Sequence, residues 1–177
     1  MRLLRTLACT LLLFSSALAA VQAPPPSSPA ALPPVTAYAL DRSKVTLPGD
    51  FAAPLNLLIL SFQRDQQSDV DGWVPVLASQ PQVQTWVLPI ASRANGLYRW
   101  WLNASLRGSL PVAQPRRYTV PLYLNKGEFL RSLQVYSEQQ VVVLLTDKAG
   151  HVLWRTAGSV SDGKRAALAS FLRSAQR

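Results

Sequence analysis

Gln63-Arg64-Asp65-Gln66-Gln67 follows directly on the apolar run LNLLILSF (residues 55–62) and opens a stretch of helical spacing. A strand that runs into a helix start is where a thiolate would be most reactive, because the N-terminal end of a helix lowers its pKa. No cysteine stands there. The five residues supply three amides, a guanidinium and a carboxylate, and none of these is a redox group. Cys9 is the only cysteine of the 177 residues, and it lies in an apolar N-terminal stretch. Beyond that stretch, disulfides, thiolate nucleophiles and dithiol exchange are excluded by inspection.

Other chemistry-bearing residues are few. Asp69-Val70-Asp71-Gly72 matches part of a calcium loop, but in that frame position twelve is Ala78 rather than a bidentate Glu. The pair reads instead as an acidic first turn favoured by the helix dipole. His151 is the only histidine, and it has no Ser, Cys or second metal ligand near it in the sequence. Trp100-Trp101 lies at helical spacing and reads as packing. Asn103-Ala104-Ser105 fits a glycosylation sequon inside the same stretch. No P-loop, dinucleotide glycine fingerprint, nucleophile elbow or H-E-x-x-H occurs. No cofactor or metal is expected.

The N-terminus pairs Arg2 and Arg5 with an apolar segment, residues 6–14, and a small-residue tail containing Ala17 and Ala19. This reads as a secretory signal peptide over residues 1–20, cleaved near Ala19 or Ala20, which implies a periplasmic or secreted product. The alternative is a retained anchor. Residues 21–37, VQAPPPSSPAALPPVTA, hold six prolines and read as an extended linker. The folded domain is then expected over residues 38–177. The formal net charge is +9, with the arginines scattered rather than clustered apart from Arg116-Arg117. Scattered positive charge suits a solvated basic surface, an acidic partner or anionic lipid. Nucleic acid is not expected for an exported chain.

Within the domain, the continuous apolarity of residues 55–62 predicts a strand covered on both faces. Val70, Trp73, Val74 and Leu77 predict a helix over residues 66–79, with Pro75 as a kink. A second strand is predicted over residues 85–90. A helix capped by Ser92 and carrying Leu97, Trp100, Trp101 and Ala104 should follow, and then a proline-rich loop over residues 108–121. Asn125-Lys126-Gly127-Glu128 predicts a capping box for a short helix with Phe129, Leu130 and Leu133. VVVLLT, the turn Asp147-Lys148-Ala149-Gly150 and HVLWR predict a hairpin. Gly158 closes it, and a last helix buries Leu168, Phe171, Leu172 and Ala175. The predicted fold class is α/β, a mixed central sheet covered by helices.

This order resembles the thioredoxin-like superfamily over residues 43–173. LNLLILSF resembles the central strand leading to the active-site loop, and VVVLLTDKAGHVLWRTAG resembles the C-terminal hairpin. Val45-Thr46-Leu47-Pro48-Gly49-Asp50-Phe51 resembles the lead-in strand of the peroxiredoxin and TlpA-like branches. The resemblance implies that Gln63–Gln67 replaces the dithiol. It also implies that Glu138-Gln139-Gln140 replaces the cis-proline of active members. Together with LYRWWL, these features resemble the mitochondrial ATP-synthase assembly chaperone family, whose members assist a membrane complex without redox chemistry.

The expected protein is a cysteine-free, non-redox thioredoxin-like domain of the cell envelope, not an enzyme, that acts through a protein partner. The expected contact surface is Gln63, Arg64, Asp65 and Gln66 with Gln139 and Gln140. The alternatives are docking of a basic domain on anionic membrane and a non-thiol enzyme that uses the same cleft.

Overall fold

A computed structural model of the protein describes residues 30–78, 80–92 and 116–175. Five strands form one sheet: β3 (Leu55–Ser61), β4 (Val83–Ser92), β5 (Leu122–Leu124), β6 (Val142–Asp147) and β7 (Val152–Ala157). Their spatial order is β5-β4-β3-β6-β7. β3 runs parallel to β4 and antiparallel to β6. β4 and β5 are parallel, and β6 and β7 make the antiparallel hairpin. The mixed sheet read from the sequence is therefore present.

β3 is central because it is apolar on both sides. Leu58 and Leu60 enter one core with Phe51, Trp86, Leu88, Phe129 and Leu144. Leu57 and Ile59 enter the other with Val70, Trp73, Val143, Leu168 and Leu172. All four β3 side chains are fully buried. At roughly 1.5–3 kcal/mol for each large apolar side chain, this strand anchors the domain. α1 (Gln67–Trp73) and α3 (Asp162–Ala175) supply the second core. α2 (Lys126–Ser132) supplies the first, together with a small antiparallel pair, β1 (Val35–Tyr38) and β2 (Lys44–Leu47).

Several elements differ from the sequence reading. The helix expected over residues 66–79 is three short pieces: a 3-10 turn at Arg64–Gln66, α1, and a 3-10 turn at Val74–Leu77 that begins where Pro75 interrupts the α ladder. Val70, Trp73 and Leu77 are buried as expected. β4 is longer than residues 85–90. Pro89 sits in it opposite Ser61, the last residue of β3, so its missing N–H falls where the ladder ends. β5 lies just past a segment read wholly as loop. Three residues are too few to show periodicity.

The expected linker also ends earlier than residue 37. Leu32 is buried in the first core and its N–H donates to Gly150 O at 2.9 Å. β1 follows at once, so proline-rich composition hid a short pairing segment. The helix expected after Ser92, with Trp100, Trp101 and the Asn103 sequon, lies outside the described residues, as does the expected signal segment. The hairpin and the last helix stand where they were predicted. Phe171 is half-buried, whereas Ala175 is exposed.

Candidate functional site

β3 delivers the chain to Phe62, and the polypeptide turns immediately into the 3-10 start of the first helical segment. Gln66 makes that turn. Its side chain is only 5 % exposed. Its Oε1 accepts the N–H of Phe62 at 2.8 Å and that of Gln63 at 3.4 Å. Its Nε2 donates to Glu138 O at 2.8 Å. Gln63 Nε2 donates to the same carbonyl at 3.3 Å. A buried amide must satisfy both its donor and its acceptor, and Gln66 does so by joining two loops.

Glu138 is placed by the end of α2. Gln134 adopts φ 54, and the helix closes with Gln134 N–H on Arg131 O and Val135 N–H on Leu130 O, a Schellman arrangement. Arg155 on β7 donates to Leu133 O and Gln134 O, setting a cation on carbonyls at the helix C-terminus. Val135 is buried. The chain then crosses to Val141, which is also buried and accepts Gly158 N–H at 2.7 Å. Along this crossing the Glu138 carboxylate pairs with Lys126 at the start of α2. Glu138 thus ties three elements together, through its carbonyl to the turn after β3 and through its carboxylate to α2.

The third side of the site is the loop after β7. Gly158 holds φ +78, which only glycine adopts without strain, and Gln140 lies against it. An added Cβ there would meet Gln140 Oε1 at 3.1 Å. Trp73 Nε1 donates to Gly158 O at 2.9 Å, and Lys164 Nζ donates to Ala157 O and Ser159 O. Ser159 Oγ donates to Asp69 Oδ1 at 2.6 Å.

The sequence-predicted residues are therefore brought to one end of the sheet, but their roles divide. Gln63, Arg64, Asp65, Gln139 and Gln140 are exposed. Gln66 is not, contrary to the expectation that it would belong to the open surface. Its amide is needed to close the turn, so it shapes the site from beneath. Sequence reasoning placed Glu138 beside the hairpin and Lys126 at a helix start but missed that they pair across twelve residues. The acidic pair of the calcium-like turn is engaged in the fold: Asp69 with Ser159 and Asp71 with Gln67 Nε2 at 2.8 Å. His151 stands at the opposite end, exposed, its Nδ1 2.8 Å from Asp147 Oδ2. No group of three or more His, Cys, Asp and Glu residues that could hold a metal occurs among the described residues.

No family model matches the chain, and neither does any curated protein. Solved structures do. A member of the Sco family of cytochrome c oxidase assembly proteins aligns with a TM-score of 0.57 at 15% identity, over 81% of this chain and 94% of that one. The thioredoxin domain of a thiol-disulfide oxidoreductase from Bacteroides vulgatus aligns with a TM-score of 0.54 at 14% identity, over 81% and 97%. The exposed lipoprotein thioredoxin of Streptococcus pneumoniae aligns with a TM-score of 0.54 at 12% identity, over 80% and 99%. Identity this low speaks for the backbone alone, and the chain has the thioredoxin-like fold, with buried Gln66 and exposed Gln63–Asp65 at the end of its central strand.

Proposed function

We propose that this is an exported, non-redox thioredoxin-like domain that binds a protein partner in the cell envelope, using the surface around Gln63, Arg64, Asp65, Gln139 and Gln140. The carrying observation is the Gln66–Glu138 clamp. A turn that in a redox domain would present a thiol is here closed by a neutral amide with all its bonds made inside the protein. What it presents outward is a fixed set of amides with one cation and one anion. Such groups recognise peptide backbone and polar side chains by hydrogen bonding, and they have no electrons to exchange. The N-terminal Arg2, Arg5, apolar segment and Ala17-x-Ala19 support export, followed by a proline-rich spacer. The likeness to a Sco-family assembly protein supports a role in helping an envelope complex assemble, by analogy of fold.

The second reading is docking on anionic membrane, favoured by the whole-chain net charge of +9, of which +7 is left once Arg2 and Arg5 go with the signal segment. Two measurements separate them. Affinity capture from an envelope extract should recover a discrete protein with the wild type and lose it with Arg64→Ala/Gln139→Ala at unchanged melting temperature. Sedimentation with phosphatidylglycerol vesicles should show no binding at about 0.15 M salt, where the Debye length is about 8 Å. Vesicle binding at that salt, with capture unaffected by the double variant, would favour the membrane. Insulin reduction by the mature protein should stay at the buffer rate, since no mixed disulfide can form.

A further inference from the structure

A cavity of about 250 Å³ opens at the other end of the sheet. Gln84 and Trp86 line it, and they pair with Asn56 and Leu58 at the start of β3. Six residues of strand separate Asn56 from Phe62, about 20 Å at roughly 3.3 Å per residue. The cavity is thus distinct from the Gln66–Glu138 site. Lys44 and Val45 of β2, Asp50, Ala52, Arg117 and Tyr118 complete most of its wall.

Its lining brings two cations, Lys44 and Arg117, against one carboxylate, Asp50. Asp50 Oδ2 already accepts Thr46 N–H at 2.6 Å. Nearby Asp41 is occupied by the hydroxyl and N–H of Ser43, which hold its carboxyl below the usual carboxylate range, with Arg117 adding to the effect. Trp86 Nε1 is engaged by Asn56 Oδ1 at 3.1 Å. Tyr118 and Trp86 meet in a T-shaped contact, ring centres 5.1 Å apart. Lys44 and Arg117 are different. They come from separate elements to one cavity, both are exposed, and no hydrogen bond or ion pair ties either down among the described residues.

We infer that this cavity binds a small organic anion, an aromatic or short-chain carboxylate. The carboxylate lies between Lys44 and Arg117, and the apolar body rests against half-buried Tyr118, the part of the aromatic wall that reaches the surface. The volume is below the roughly 300–1,000 Å³ of sites for drug-sized ligands, which limits the occupant to about one ring or a few carbons. Arg117 supplies a planar fork for the carboxylate and Lys44 a mobile point charge.

Benzoate is the probe, with benzyl alcohol as its uncharged counterpart, titrated into the full-length protein by calorimetry. Benzoate should saturate at a Kd on the order of 1 mM, and benzyl alcohol should bind at least about tenfold more weakly. Lys44→Met/Arg117→Met should weaken benzoate at least about tenfold at unchanged melting temperature, because both side chains are exposed. Lys148→Met/Arg173→Met removes the same charge elsewhere and should leave it unchanged. The inference is overturned if benzoate does not saturate, if benzyl alcohol binds equally well, or if the two double variants behave alike.

Discussion

Each end of β3 carries a buried amide, and the two are used in opposite ways. Asn56 is fully buried, and its partners bind the sheet together. Its Oδ1 takes Trp86 Nε1, its Nδ2 donates to Ala53 O at 3.1 Å, and its backbone carbonyl accepts Thr146 Oγ1 at 3.3 Å. Gln66 is almost as buried, but its partners are backbone groups of two loops. Asn56 therefore joins strands that are already held by their ladders, and beside it the protein leaves a cavity open. Gln66 joins segments that no ladder holds, and above it Gln63, Arg64, Asp65, Gln139 and Gln140 are exposed. The same functional group stabilises the sheet at one end and shapes the proposed recognition surface at the other.

The larger effect is expected at Asn56. Asn56→Ala leaves the indole N–H of Trp86 without its acceptor and opens a void, so stability should fall by about 2–4 kcal/mol, read by urea unfolding. Gln66→Ala should cost less, about 1–3 kcal/mol, because the freed Phe62 N–H and Glu138 O lie near water. Its signature should be local: faster hydrogen exchange at Phe62 and Gln63, with β6 and β7 unchanged. Equal losses from the two variants, with exchange raised throughout, would remove the distinction between the ends.

A smaller effect belongs to the Asn56 end, where Asp147 lies opposite Leu55. Burial at the hairpin turn pushes the Asp147 carboxyl upward, but bonds from the His151 ring and N–H, with the histidine's charge, outweigh it. The net position is below the usual carboxylate value of 3.8. A carboxyl depressed in the folded state contributes stability above its unfolded pKa and loses it as pH falls through the folded value. The melting temperature should therefore drop slightly more between pH 5 and pH 3, both approximate bounds, than it does in His151→Ala. The Gln66 end has no such dependence to contribute through its amides.

How far the sequence disclosed this depends on the kind of signal. β3, β6 and the last helix were legible because apolar continuity and helical spacing dominate there, and the turn before Gly150 carries its own chemistry. β1 and β5 were not. Four and three residues carry no period, and one of them sits beside prolines. The turn that carries the candidate site was legible from the abrupt end of LNLLILSF. Its construction was not, because a glutamine that will be buried reads the same as one that will be exposed. Glu138 enters chiefly through its carbonyl oxygen, which every residue has. Lys44 and Arg117 were separated by 73 positions and by no motif, so only the fold brings them to one cavity.

The exposed surface above Gln66 is proposed to contact a protein. Photo-crosslinking tests it most directly, with benzoylphenylalanine placed in the full-length protein at Gln63, at Gln139 and, as the remote control, at Lys148, and irradiated in intact cells of the host. The expected result is a protein adduct of one mass from both Gln63 and Gln139, absent from Lys148. Adducts from Lys148 alone, or none from the two glutamine positions in cells where the protein is folded and exported, would contradict it.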